Sequence, residues 1–97
     1  MNEIATYPSL KDKTVIVTGG ASGIGATIVE HFHQQDCKVA FLDKENELGN
    51  KLSEKLDHYK YKPVFKYCDL KNIKLLRKSI EEISDEFGSI SILVNNA

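Results

Sequence analysis

The sequence predicts an α/β fold: a parallel sheet covered by helices on both faces. Three observations predict it. Short, β-branched apolar runs alternate with longer stretches whose apolar residues recur at helical spacing. The short runs are apolar throughout rather than every second residue, as in strands buried on both sides. A cluster of glycines stands where the first run gives way to the first helical stretch.

Residues 1–12 form a polar lead-in that includes Pro8. Thr14-Val15-Ile16-Val17-Thr18, bounded by Lys13 and by Gly19-Gly20, reads as a buried strand. Ile24, Ile28, Val29 and Phe32 then place a stripe on one side of a helix ending near Asp36. Lys38 to Asp43 is the second strand, and Leu48, Leu52 and Leu56 mark the second helix. Pro63 to Cys68 reads as the third strand, with its proline tolerable at the first position. Ile73, Leu76, Ile80, Ile83 and Phe87 form the stripe of the third helix, and Gly88 punctuates its end. Ile90 to Asn95 is the last strand, so residues 13–97 read β-α-β-α-β-α-β.

Composition narrows the function classes. The chain has 97 residues, 41% hydrophobic and 28% charged, with 13 Lys and Arg against 14 Asp and Glu for a formal net charge of -1. That much hydrocarbon with balanced charge predicts one packed domain rather than disorder. The only basic cluster, Lys60-Tyr61-Lys62, is too small for a nucleic-acid footprint, so nucleic acid is not an expected partner. No apolar run approaches the roughly 20 residues that span a bilayer, so no membrane partner is expected either. Met1-Asn2-Glu3-Ile4 lacks the basic and apolar regions of a secretory signal, which predicts a cytoplasmic protein. Cys37 and Cys68, 31 positions apart with no Cys-x-x-Cys companion, read as reduced thiols. His31 and His33 are turned about 200° apart on a helix and cannot share a metal.

Between the first strand and first helix stands Thr18-Gly19-Gly20-Ala21-Ser22-Gly23-Ile24-Gly25. Glycines there let the backbone turn tightly and let a phosphate approach unpaired N–H groups at the helix N-terminus. The nucleoside-triphosphatase template, Gly-x-x-x-x-Gly-Lys-Ser/Thr, starts at Gly20 but demands a lysine where this chain has Ala26. The Gly-x-Gly-x-x-Gly template finds Gly23 and Gly25 but meets Ile28 in its third slot.

Thr-Gly-x-x-x-Gly-x-Gly does match, and with it the chain resembles the classical short-chain dehydrogenase/reductase family from Lys11 to Ala97. Gly19, Gly23 and Gly25 fill the three glycine slots, with Ser22 and Ile24 inside the turn. Asp43 ends the second strand 18 residues after Gly25, near the offset at which an acidic side chain meets the adenosine ribose in dinucleotide folds. Asp69-Leu70 resembles the family's Asp-Val/Leu pair beside the adenine, and Asn95-Asn96-Ala97 resembles its Asn-Asn-Ala-Gly motif. Lys71-Asn72 replaces the Ser or Thr that usually follows Asp-Val/Leu, so the cap of the third helix is expected to pass to Asn72 or Asp69.

The resemblance implies a Rossmann-type doubly wound sheet in the order 3-2-1-4. It also implies an NAD(P)-binding oxidoreductase that interconverts an alcohol and a ketone or aldehyde by hydride transfer. Asp43 predicts NAD in preference to NADP, because a carboxylate hydrogen-bonds ribose hydroxyls and repels a 2′-phosphate, although Lys44 follows it. In the family a helical Tyr-x-x-x-Lys pair exchanges the proton, and a serine helps orient substrate. Two such strings occur here, Tyr7 to Lys11 and Tyr67 to Lys71. The first contains Pro8 and precedes the first strand, and the second runs from strand into loop, so no catalytic residue is assigned within the chain. Residues 1–97 are therefore expected to be the N-terminal part of one Rossmann domain, inactive alone and either aggregation-prone or only marginally folded. Its intact form is expected to be a homodimer or homotetramer acting on a small alcohol or carbonyl compound. The competing expectation is a non-catalytic nucleotide-binding module complete at this length. A reading frame continuing past Ala97 into Gly and a later helical Tyr-x-x-x-Lys would separate the two.

Overall fold

The computed structural model describes residues 7–56 and 60–96. Within them β1 (Thr14–Thr18), β2 (Lys38–Asp43), β3 (Val64–Tyr67) and β4 (Ile90–Asn95) form a parallel sheet in the order β3-β2-β1-β4. α1 (Gly23–Gln34), α2 (Asn46–Lys55) and α3 (Ile73–Phe87) connect them. This is the doubly wound order that the family resemblance implies.

The continuous apolar runs are explained by two cores, one on each face. Val15 and Val17 of β1 and Val39 and Phe41 of β2 meet Val29 of α1 and Leu52 of α2, with Leu56 just beyond. One residue out of phase, Ile16, Ala40 and Leu42 meet Ile83 and the flanking Leu76, Ile80 and Phe87 of α3. Alternate side chains of a strand point to opposite faces, so a strand covered on both sides must be apolar at every position. Phe41 is fully buried, with its ring centroid 5.3 Å from that of Phe65. Burying a side chain of this size contributes about 2 to 3 kcal/mol.

Three residues of the predicted stripes fall outside the cores. Ile24 is 76% exposed, because the side of α1 that packs inward at that level is Gly25. A methyl group there would lie 1.9 Å from the Gly19 carbonyl oxygen. Leu48 is 44% exposed because α2 presents the neighbouring Gly49 to the Phe65 ring instead. The buried stripe of α2 is thus Gly49 and Leu52, continued by Leu56 past its end. Ile73, the first residue of α3, is also exposed. Its N-cap is Asn72, whose Oδ1 accepts from the Leu75 N–H at 3.1 Å.

At the end of the sheet where the strands begin, the Phe87 carbonyl accepts from Thr14 Oγ1 at 3.1 Å and from Lys38 Nζ at 3.4 Å. Gly88, with φ 90°, turns the chain from there into β4. A short 3-10 turn at Pro8–Leu10, unforeseen in the polar lead-in, precedes β1. The Lys60-Tyr61-Lys62 run folds back onto this lead-in. Asp12 accepts from Lys60 Nζ at 2.9 Å and from the Tyr61 hydroxyl at 2.7 Å, while Lys38 and Lys60 both lie over the Tyr61 ring. Its basic charge is thereby partly spent on the protein's own acid.

Candidate functional site

At the opposite end, where the strands finish, a cleft of about 200 Å³ opens between the sheet and its loops. Gly19 follows β1, Leu42, Asp43 and Lys44 come from the end of β2, and Cys68, Asp69, Leu70 and Lys71 follow β3. Ligand crevices in open α/β sheets lie outside the carboxyl ends of the strands, and this one has that position. Four residues singled out in the sequence, Gly19, Asp43, Asp69 and Leu70, meet there although they come from three separate segments.

The turn from β1 into α1 forms one wall. Gly19 and Gly23 adopt left-handed φ angles of 66° and 58°, which side chains with a Cβ rarely adopt. Ser22, Gly23 and Ile24 are exposed at the start of α1, and nothing lies within 4 Å of where a Gly23 methyl group would stand. Ser22 is the N-cap but makes no side-chain capping bond, and the first intrahelical bond runs from the Ala26 N–H to the Ser22 carbonyl at 3.2 Å. The N–H groups ahead of Ala26 thus have no helical acceptor, and those of Ser22, Gly23 and Ile24 belong to exposed residues beside the positive end of the helix dipole. Open space over Gly23 and an uncapped helix start are what close approach by a diphosphate requires, so this wall fits the phosphates of a dinucleotide.

Two carboxylates stand across the cleft in similar settings. Asp43 Oδ1 accepts from the Glu45 N–H at 2.9 Å, and Asp69 Oδ1 accepts from the Lys71 N–H at 3.0 Å. Each is therefore held by the main chain two residues ahead, an Asx turn that keeps the side chain at the strand end. Asp43 Oδ2 also accepts from the Ala21 N–H at 3.1 Å, inside the glycine turn. Leu70 packs against the α3-side core, and Cys68 is buried near Ser79, another buried residue.

β4 meets the glycine turn through Thr18. The Thr18 hydroxyl donates to Asn95 Oδ1 at 3.0 Å and accepts from the Asn96 N–H at 3.0 Å. Asn96 Nδ2 donates to the Gly19 carbonyl at 3.1 Å. Asn95 and Asn96 thus join the turn rather than line the cleft, while Ala97 lies outside the described residues. Thr18, Lys44, Cys68 and Lys71 were not among the sequence-predicted site residues. Thr18 carried a signal as the first residue of the glycine motif and Lys44 as the basic neighbour of Asp43; Cys68 and Lys71 enter the cleft wall because they lie on either side of Asp69-Leu70.

The two Tyr-x-x-x-Lys strings are not on helices. Tyr67 ends β3 and Lys71 lies in the following loop, while Tyr7 and Lys11 flank the 3-10 turn. Cys37 and Cys68 are free and buried, and burial is the main cause that pushes both thiols above their ordinary pKa. Among the described residues no three His, Cys, Asp or Glu side chains gather to hold a metal ion, and no helix is long and apolar enough to cross a membrane.

Comparison with known proteins places this geometry. A family model described as short chain dehydrogenase matches residues 13–97. The D-xylose 1-dehydrogenase of Caulobacter vibrioides is 43% identical over 93 residues, covering 96% of this chain and 36% of the relative. A probable galactose dehydrogenase of Rhizobium meliloti is 42% identical over 92 residues, covering 94% and 36%. The NAD(+)-named 15-hydroxyprostaglandin dehydrogenase of Mus musculus is 39% identical over 87 residues, covering 88% and 32%. Among solved structures, a short chain dehydrogenase from Bacillus anthracis superposes with a TM-score of 0.84 at 31% identity, covering 91% of this chain and 35% of that one. The chain spans about a third of the length of these relatives.

Proposed function

The chain belongs to the short-chain dehydrogenase family, and from that premise we propose that it supplies the NAD-binding part of an oxidoreductase interconverting an alcohol and a ketone or aldehyde. One observation carries the reading: Gly19, Asp43, Asp69 and Leu70 converge on a single cleft beside the uncapped start of α1. Residues 13–97 then form the first β-α-β-α-β-α-β portion of one NAD(P)-binding domain, after a lead-in over 1–12.

Each part of the site has a separable task. The N–H groups at the start of α1 hold the diphosphate, with Gly23 giving it room and Ser22 and Ile24 exposed beside it. Asp43 accepts from the adenosine ribose hydroxyls, and Asp69 and Leu70 border the adenine. On the family's precedent the Asn95-Asn96-Ala97 motif borders the coenzyme, Asn95 and Asn96 acting through Thr18 and Gly19 of the glycine turn. When bound, the nicotinamide supplies a hydride acceptor or donor. The proton is exchanged by a helical Tyr-x-x-x-Lys pair that we place in sequence beyond residue 97. Substrate is a small alcohol or carbonyl compound, and assembly is a homodimer or homotetramer, both on the family's precedent.

NAD is the preferred coenzyme in this reading. A 2′-phosphate would bring two negative charges toward the Asp43 carboxylate, an unfavourable approach that Lys44 and Lys71 on the same cleft temper without reversing. Calorimetric titration with NAD and NADP tests the proposal. NAD should bind more tightly, and Asp43→Ala should narrow the difference by weakening the NAD complex. Tighter NADP binding overturns the preference, and binding of neither overturns the function.

A further inference from the structure

The Asp43 carboxylate does more than face the cleft: both of its oxygens already accept main-chain N–H groups. One bond is local, from Glu45, and the other crosses 22 residues of sequence to Ala21. Ala21 is 5% exposed and sits mid-turn, between Gly20 and the helix N-cap Ser22. On its near side, Gly20 is in close contact with Phe41, whose Cβ would lie 2.6 Å from a methyl group at position 20. The rest of the turn is fastened through Gly19, whose N–H donates to the Leu42 carbonyl at 2.8 Å and whose carbonyl accepts from Asn96. Asp43 therefore supplies the fastening nearest the helix start, and it is a charge-assisted one, stronger than a bond between neutral groups.

We propose, resting on the coenzyme reading above, that Asp43 is a positioning residue for the glycine turn as well as an acceptor for the ribose. Its Oδ2 holds the Gly20-Ala21 peptide and so aims the N–H groups of Ser22, Gly23 and Ile24 at the diphosphate before any ligand arrives. An ionised carboxylate has about four acceptor directions, so two main-chain donors leave two for hydroxyl groups, and the tasks coexist on one side chain. Ribose recognition and diphosphate recognition are then coupled. Removing the carboxylate leaves the buried Ala21 N–H without this acceptor, and the turn is free to lose its aim.

Two nucleotides separate the roles: ADP, and 2′,3′-dideoxy-ADP, which keeps the diphosphate and lacks the ribose hydroxyls. Calorimetry on the unsubstituted protein, Asp43→Ala and Asp43→Asn should show Asp43→Ala weakening dideoxy-ADP by about tenfold, the scale of one hydrogen bond to a charged group. ADP should weaken further still. Asp43→Asn keeps one acceptor oxygen for the two main-chain donors; turned to Ala21, with the Glu45 bond given up, it should restore part of the dideoxy-ADP affinity but not that for ADP. An unchanged dideoxy-ADP affinity in Asp43→Ala overturns the positioning role and leaves the coenzyme reading standing. Failure of the unsubstituted protein to bind both ADP and NAD overturns the coenzyme reading itself. Hydrogen exchange gives a test independent of any substitution: the Ala21 amide should exchange as slowly as strand amides such as that of Val17, and fast exchange overturns the positioning role.

Discussion

Asn96 and Gly25 contest one small volume. Asn96 Nδ2, donating to the Gly19 carbonyl, would lie 2.7 Å from a methyl group on Gly25, and the carbonyl oxygen itself would lie 1.9 Å away. The helix start, the glycine turn and the end of β4 come together at a point where only a hydrogen atom fits.

Gly25→Ala should therefore lower stability by about 3 kcal/mol or more, beyond ordinary overpacking because the obstructing atoms are backbone. Gly23→Ala meets open space and carries only the cost of its positive φ, about 1 kcal/mol. Denaturant unfolding of both variants checks the contrast, and equal losses would contradict the geometry.

Gly49→Ala should also destabilise, although alanine is the better helix former by about 1 kcal/mol. The new methyl group would stand 2.2 Å from the Phe65 ring, which is itself packed against Phe41. Overpacking of this kind costs about 1 to 3 kcal/mol and outweighs the propensity gain. A raised melting temperature would show that the ring yields freely.

Asn72→Ala removes the cap of α3 and should cost about 1 kcal/mol, whereas Asn72→Asp or Asn72→Ser should cost little. The Leu75 N–H bond to Asn72 is the basis, and thermal unfolding of the three variants tests it.

The element order, the glycine turn and a cap for α3 at Asn72 or Asp69 were legible because each rests on local chemistry: β-branched runs, glycines at a turn, a polar side chain at a helix start. The strand order came only with the family resemblance. The side each helix presents was less so. Ile24 and Leu48 look like core residues at helical spacing, and both lost that place to an adjacent glycine. Hydrophobicity marks what can be buried; it carries no record of a backbone or ring so close that only glycine fits. The Ala21–Asp43 bond was illegible for a related reason, since a main-chain donor has no side chain to announce it.

Cys37 and Cys68 should resist alkylating reagents in the folded protein at pH 8 and react fully in guanidinium, as read by mass spectrometry. Burial raises both pKa values, so folded and unfolded chains differ once pH passes the ordinary thiol value of 9.0. Above it the unfolded chain releases protons that the folded chain keeps, and stability falls as pH rises toward the folded values. Denaturant midpoints between pH 8 and 10 should decline, with a smaller decline in Cys37→Ala.

The pairing of β1 with β4 has a consequence for the order in which the molecule comes into being. Thr18 and Asn95 are 77 residues apart, as are Gly19 and Asn96. Pairing of β1 with β2 needs far less chain, so a β1-α1-β2 unit can close early, during synthesis or refolding. The late arrival of β4 then tightens the glycine turn, and phosphate-binding competence should lag behind the bulk of secondary structure in time.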